Sequence, residues 1–213
     1  MNIIDGLLIS LLLVSVIIGS KKGLIRELMA FTVFFVAIII SVNYIDNFAV
    51  WMHNQIGGSS LISAFLSFVI LLAATYAVFK LAGLLFYKIA DIKANAKRDQ
   101  MGGALVGFLR GWVAVGFLVF LSFLIPMPDS YYEKFDESFF GPAIAKTIPL
   151  IFEGTNTLHP NNAIFIEQIE KTLLGDPSTG RDISKKLNKE DRQKAYRVLF
   201  RMEKYFKTGI AET

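Results

Sequence analysis

The sequence predicts an all-α polytopic membrane protein: a four-helix transmembrane bundle followed by a helical, partly amphipathic C-terminal extension. Three observations carry this. Of 213 residues 54% are hydrophobic and only 19% charged, against about 45–50% and about 25% in soluble domains. The apolar residues fall in runs of span length instead of being spread through the chain. Charge is segregated as well, with net +4 over residues 1–125, −5 over 126–180 and +5 over 181–213. The pI near 9.2 is therefore a sum of unlike parts and does not point to nucleic acid, which is not expected as a partner. The absence of cysteine excludes a disulfide framework, thiolate metal ligands and a Cys nucleophile.

The first apolar run, residues 3–20, holds one charge, Asp5, and ends at Lys21-Lys22-Gly23. It lacks a basic leader and a small-residue cleavage site, so it reads as a retained span and not as a signal peptide. Asn2-Ile-Ile-Asp5 has capping-box spacing, and an acid in the first helical turn is favoured by the helix dipole; a buried proton-binding acid is the sharper alternative for Asp5. Further spans follow at about 24–42, 61–87 and 102–125, each long enough to cross a hydrocarbon core about 30 Å thick. Backbone amides in lipid must be satisfied within the segment, so the spans are helices. These make up a transmembrane domain over residues 1–125.

Basic residues in the short connections set the orientation. Lys21, Lys22 and Arg26 follow span 1, and Lys88, Lys93, Lys97 and Arg98 follow span 3. The connection from Asn43 to Ser60 has no Lys or Arg, and Tyr44 and Trp51 are its candidate interfacial anchors. The first and third connections are thus expected in the cytoplasm. The second, both termini and the long tail are expected outside it.

Within the spans Arg110 stands out, because an arginine deep in a span is unfavourable by about 2.5–3.5 kcal/mol. Pairing with Glu27, about one turn into span 2 from the same side, or snorkelling would offset this. The other reading is a charge in an ion or solute pathway. Ser41, Ser67, Thr75 and Ser122 would be a thin polar lining for such a path. Lys80 is expected to snorkel, and Asp99 to cap the N-terminus of span 4. Gly103, Gly107 and Gly111 repeat at four-residue spacing, a small-xxx-small face that lets another helix approach closely. That neighbour could lie within the bundle or on a second copy, giving a homo-oligomer.

An Asp opening span 1, the Gly19, Lys21-Lys22-Gly23, Arg26-Glu27 turn, and Asp99-Gln-Met-Gly-Gly-Ala-Leu-Val-Gly-Phe-Leu-Arg-Gly111 together resemble the colicin V production protein family, CvpA. The family motif runs Asp-Arg-x-x-Gly, then a Gly before Arg-Gly; Gln100 stands here in place of the usual Arg. Lys146-Thr-Ile-Pro149 is similar to the family's Ser-x-x-Ile/Leu-Pro stretch, and the likeness covers about residues 1–152. The resemblance implies a bacterial inner-membrane protein needed for colicin V production or export and tied to envelope homeostasis. It makes Asp5, Glu27, Asp99 and Arg110 the family-motif polar residues.

Residues 126–154 carry Tyr131, Tyr132, Phe135, Phe139, Phe140 and Phe152, broken by Pro142 and Pro149, and read as short helices at the outer interface. In the tail, 155–213, an amphipathic helix is expected over Asn161 to Leu174, then a turn over Gly175 to Gly180. A basic amphipathic helix should span about 188–207, capped by Asn188, with Arg192, Lys194, Arg197, Arg201, Lys204 and Lys207 flanking its apolar stripe. That face would bind anionic headgroups or an acidic envelope or secretion partner, or else pack on the tail with its charges solvated. No catalytic motif is present and the two histidines, His53 and His159, lie in unrelated segments, so no enzyme, cofactor or metal is expected. The reading is a scaffold or accessory factor in the lipid bilayer; the alternative is a small channel or transporter subunit using Arg110 and Glu27.

Overall fold

The computed structural model describes residues 2–89, 97–155, 157, 159 and 164–208, with only the backbone course for 84–89. Lys93 of the third connection and Asn161 at the expected start of the first tail helix lie outside the described residues. All regular structure among the described residues is helical: α1 (Ile3–Lys22), α2 (Leu24–Ile56), α3 (Ser60–Ile89), α4 (Lys97–Leu124), α5 (Asp129–Asp136), α6 (Gly141–Ala145), α7 (Thr147–Gly154), α8 (Phe165–Leu174) and α9 (Lys189–Phe206). The four helices α1 to α4 are long and apolar enough to cross a membrane.

α1 lies along α4, and α4 touches α2, which pairs with α3; α1 with α2, and α3 with α4, touch only sparsely. The order across the bundle is thus α1, α4, α2, α3. Two polar belts bracket it. At the turn end Asp99 meets Gly23 and Leu24; at the tail end Asn43 meets His159. Along α2 the distance from Leu24 to Asn43 is about 28 Å at 1.5 Å per residue, close to the hydrocarbon thickness of about 30 Å.

Two elements run beyond the expected spans. α2 continues past Val42 to Ile56, so the expected Asn43–Ser60 connection shrinks to residues 57–59, where Gly57 (φ +72°) and Gly58 (φ +82°) take conformations open chiefly to glycine. The extension is amphipathic, burying Ile45, Ala49, Val50 and Met52 while holding polar groups for the tail. Tyr44 and Trp51 on it are exposed. α4 begins at Lys97, a turn before Gly102, because its polar first turn is stabilised by contacts that no apolar pattern reports.

The tail docks on this projecting end. Gln168 of α8 donates to the Val42 carbonyl at 3.1 Å, the Asn43 carbonyl at 3.3 Å and Asp46 Oδ1 at 3.2 Å. The core runs without a break from bundle to tail: Phe120 of α4 packs on Phe68 (4.8 Å between centroids), Phe165 (5.5 Å) and Phe206 (5.9 Å). Phe123 packs on Phe135 and Phe206, each at 5.1 Å. The residues 126–154 form three short helices, as expected, and most of their rings pack against the protein. Tyr132, Phe135 and Phe152 are buried and Phe139 is 77% exposed. Burial against α4 and α9 removes more apolar surface from water than a place among headgroups.

Candidate functional site

The family-motif residues gather at the turn end. The α1–α2 turn passes through Gly23 at φ +83°. Its neighbour Leu24 donates its backbone N–H to Asp99 Oδ1 at 2.8 Å. Asp99 therefore does not cap its own helix as expected; it lies inside the first turn of α4 and caps α2 across the interface, supplying an acceptor to an orphan N–H. A Cβ at Gly23 would collide with the same carboxylate. Beside it α1 and α4 touch backbone to backbone. A Cβ at Gly107 would lie 2.8 Å from the Ser15 carbonyl oxygen and 2.9 Å from Gly19 Cα, and one at Gly111 would lie 2.6 Å from Ser15 Cβ. Gly103 faces Gly19 and Gly23 as closely. Ser15 Oγ donates to the Gly107 carbonyl at 2.7 Å. The Gly103, Gly107 and Gly111 face is packed by α1 of the same chain, the neighbour within the bundle that the spacing allowed.

One turn further in, Glu27 is fully buried with two cations about it: Arg110 Nε at 2.7 Å from Oε1 and Lys22 Nζ at 3.7 Å from Oε2. Neither carboxylate oxygen receives a well-directed hydrogen bond among the described residues. The contact is a charge pair held by proximity, and the cluster carries one net positive charge. Sequence reasoning did not pair Lys22 with Glu27, having used it for orientation and for the family likeness of the turn.

Asp5 organises the tail end. Asn2 caps α1 by accepting from Ile4 N at 2.9 Å and Asp5 N at 3.2 Å, and its own N–H donates to Asp5 Oδ2 at 3.0 Å. The other Asp5 oxygen accepts from Ser138 Oγ at 2.7 Å and Phe140 N at 3.1 Å. A fully buried carboxylate with three donors is an acceptor that fixes the tail to α1. Deeper along α4, Trp112 Nε1 donates to Thr147 Oγ1 at 2.9 Å, and a Cβ at Gly116 would meet Thr147. The start of α7 thus lies against α4 at Gly116, where the Trp112 ring reaches it. Thr147→Val, which keeps the shape and orphans the indole N–H, is expected to destabilise the folded chain by about 1–3 kcal/mol, read as a lowered melting midpoint in detergent.

On α9 the expected cap is present, Asp191 N donating to Asn188 Oδ1 at 2.7 Å. The basic face is largely turned on the protein itself. Arg192 donates to the Ser184 carbonyl at 2.5 Å, Lys194 pairs with Glu190 at 2.6 Å, Arg201 with Asp129 at 2.5 Å and Lys204 with Asp136 at 2.9 Å. Arg201 also lies 3.8 Å over the Tyr132 ring. Arg197 makes no ion pair among the described residues and stands exposed beside Tyr196 and Phe200, while Lys207 is exposed at the C-cap. Tyr196, Arg197 and Phe200 line a groove of about 570 Å³ between α5 and α9.

Burial pushes the Asp136 carboxyl up, but hydrogen bonds from Tyr205 and Lys204 and the Lys204 charge outweigh it and hold the group below its ordinary 3.8. Hydrogen bonds to Asp136 and Tyr205 likewise raise Lys204 above 10.5. A lowered acid stabilises fully above its unfolded value and loses that contribution as pH falls through the folded one. A raised base stabilises fully below its unfolded value and loses it as pH rises through the folded one. The α5–α9 dock should hence be insensitive to pH from about 5 to about 9. The gap in melting midpoint between wild type and Asp136→Asn should narrow as pH falls below the ordinary 3.8 and through the lowered folded-state value.

The structure brings together Glu27 with Arg110, and Asp99 with the turn between α1 and α2; Asp5 lies at the opposite end. The partners of Ser138 and Thr147 and the His159–Asn43 contact at 2.6 Å had no signal in the sequence, because each pairs with a residue remote along the chain. Among the described residues no group of three or more His, Asp or Glu could hold a metal ion. Fold and site define a multi-pass helical membrane protein with a buried charge pair and a helical cap on one end. The chain belongs to the colicin V production protein family, whose model matches residues 4–149. No curated protein and no solved structure matches it.

Proposed function

We propose that the protein is a non-enzymatic scaffold or accessory factor of the bacterial inner membrane, acting in colicin V production or export and in envelope homeostasis, with both termini and the tail outside the cytoplasm. The family is not a known enzyme family. One observation carries the reading: the fully buried rings Phe68, Phe120, Phe123, Phe165 and Phe206 close the bundle at the tail end and make bundle and tail one body. A conduit through the bundle would need a polar opening where these rings pack. Arg110 is also answered by Glu27, which supports a clamp over a transport charge.

The surface offered to a partner is the outer face of α9. Tyr196 is 52% and Phe200 75% exposed, with Arg197 between them, and aromatic and Arg side chains are those that dominate interfaces. Arg197→Glu with Phe200→Asp changes exposed groups only, so folding should persist. Envelope proteins cross-linked to the wild type should be lost from this variant at equal expression. Recovery of no partner, together with protein-dependent ion flux in sealed vesicles, would overturn the scaffold in favour of the channel or transporter subunit.

A further inference from the structure

We propose that the protein holds one anionic phospholipid in the groove between α3 and α4, in the leaflet on the side of the α1–α2 turn, with its phosphate on Arg110. The groove exists because α3 and α4 are separated by α2 in the bundle order and touch only sparsely. It measures about 580 Å³, within the range of about 300–1,000 Å³ usual for ligand sites. Phe34, Leu72, Tyr76, Ala114 and Leu118 wall it, and Arg110 stands among them at the turn end. Leu118 is 52% exposed on the bundle surface, so the groove opens sideways to the bilayer and an occupant enters from the membrane plane.

The chemistry of the rim selects the charge. Glu27 approaches Arg110 at Nε, 2.7 Å from Oε1. Among the described residues the terminal guanidinium nitrogens meet no acceptor, although the side chain is only 17% exposed. A guanidinium edge of this kind matches a phosphate oxygen pair. Lys22 and Arg110 against Glu27 leave one positive charge uncompensated. Lys80 adds a second cation on the α3 side, its ammonium 5.8 Å from the Tyr76 ring. A zwitterionic headgroup would bring its own ammonium to these cations, whereas an anionic one would not. Depth agrees: Arg110 reaches back to Glu27, one turn inside Leu24, while the apolar wall runs on to Leu121, about 16 Å along α4. That is close to one leaflet, half of about 30 Å.

The test uses the full-length chain purified from micelles containing equal amounts of phosphatidylglycerol and phosphatidylcholine, with retained lipid counted by native mass spectrometry. One phosphatidylglycerol per chain is expected, at least tenfold over phosphatidylcholine. Ala114→Phe fills the groove and leaves the Glu27–Arg110 pair in place; it should reduce retention at least fivefold with melting unchanged in phosphatidylcholine alone. Should that variant fail to fold, Leu118→Trp on the exposed rim serves the same purpose. Arg110→Lys keeps the charge but loses the fork, and should reduce the preference for phosphatidylglycerol. Equal retention of the two lipids, or undiminished retention in a folded groove-filled variant, would overturn the proposal.

Discussion

Gly107→Ala is expected to push α1 off α4 and to lower the melting midpoint sharply. The added methyl carbon would sit 2.8 Å from the Ser15 carbonyl oxygen and 2.9 Å from Gly19 Cα. Both are backbone atoms on a helix, so no side-chain rotation relieves the contact. Overpacking in a filled core is unfavourable by about 1–3 kcal/mol, and a backbone-to-backbone clash belongs at the upper end of that range. The Ser15 to Gly107 hydrogen bond would be lost with it. Gly6→Ala in α1 is the control, because a Cβ there meets nothing within 4 Å. It should be neutral or stabilise by up to about 1 kcal/mol through helix propensity. Melting midpoints of the two variants in one detergent compare them directly; equal behaviour would show that the glycine face does not hold α1.

Glu27→Gln should be as damaging for the opposite reason, a charge removed instead of an atom added. It leaves Lys22 and Arg110 facing a neutral amide at a fully buried position. Breaking a buried pair by removing one partner is unfavourable by about 3–5 kcal/mol; snorkelling of Arg110 toward the turn end lowers this somewhat. The double variant Glu27→Met with Arg110→Met should recover most of the loss, since apolar replacement of a whole buried pair is often neutral or better. The coupling is read from a double-mutant cycle in thermal melts. A clamp predicts strong positive coupling. Additive losses would mean that the two residues act separately.

The four spans were legible because runs of apolar residues have one explanation in a chain this poor in charge. The Glu27–Arg110 pair was legible too, because an arginine within a span requires a counter-charge on the same side. What could not be read was how polar segments find one another. Asp99 lies before the apolar part of α4, which suggested a cap for that helix; its true partner, the Leu24 N–H, is remote along the chain. The α2 extension beyond Val42 carries Asn43, Asp46 and Asn47, and polarity alone suggested a loop. Asn43 and Asp46 instead hold the tail, bonding to His159 and Gln168. The charge map held a clue to the α9 dock that was not used: the acidic segment 126–180 supplies Asp129 and Asp136, and the basic segment 181–213 supplies Arg201 and Lys204. Paired across α5 and α9, they turn the Arg201 and Lys204 side of the helix onto the protein.

The N-terminal cap and the tail are joined through Asp5, Ser138 and Phe140, so they share one side of the membrane, and the scaffold reading requires that side to be the envelope. A reporter active only outside the cytoplasm, fused in turn before Met1, after Gly154 and after Thr213, tests this most directly. Activity at all three sites, and none when the reporter is inserted between α3 and α4, is the expected result. Activity only between α3 and α4 would contradict it, placing the tail in the cytoplasm and removing the envelope partner from the proposed function.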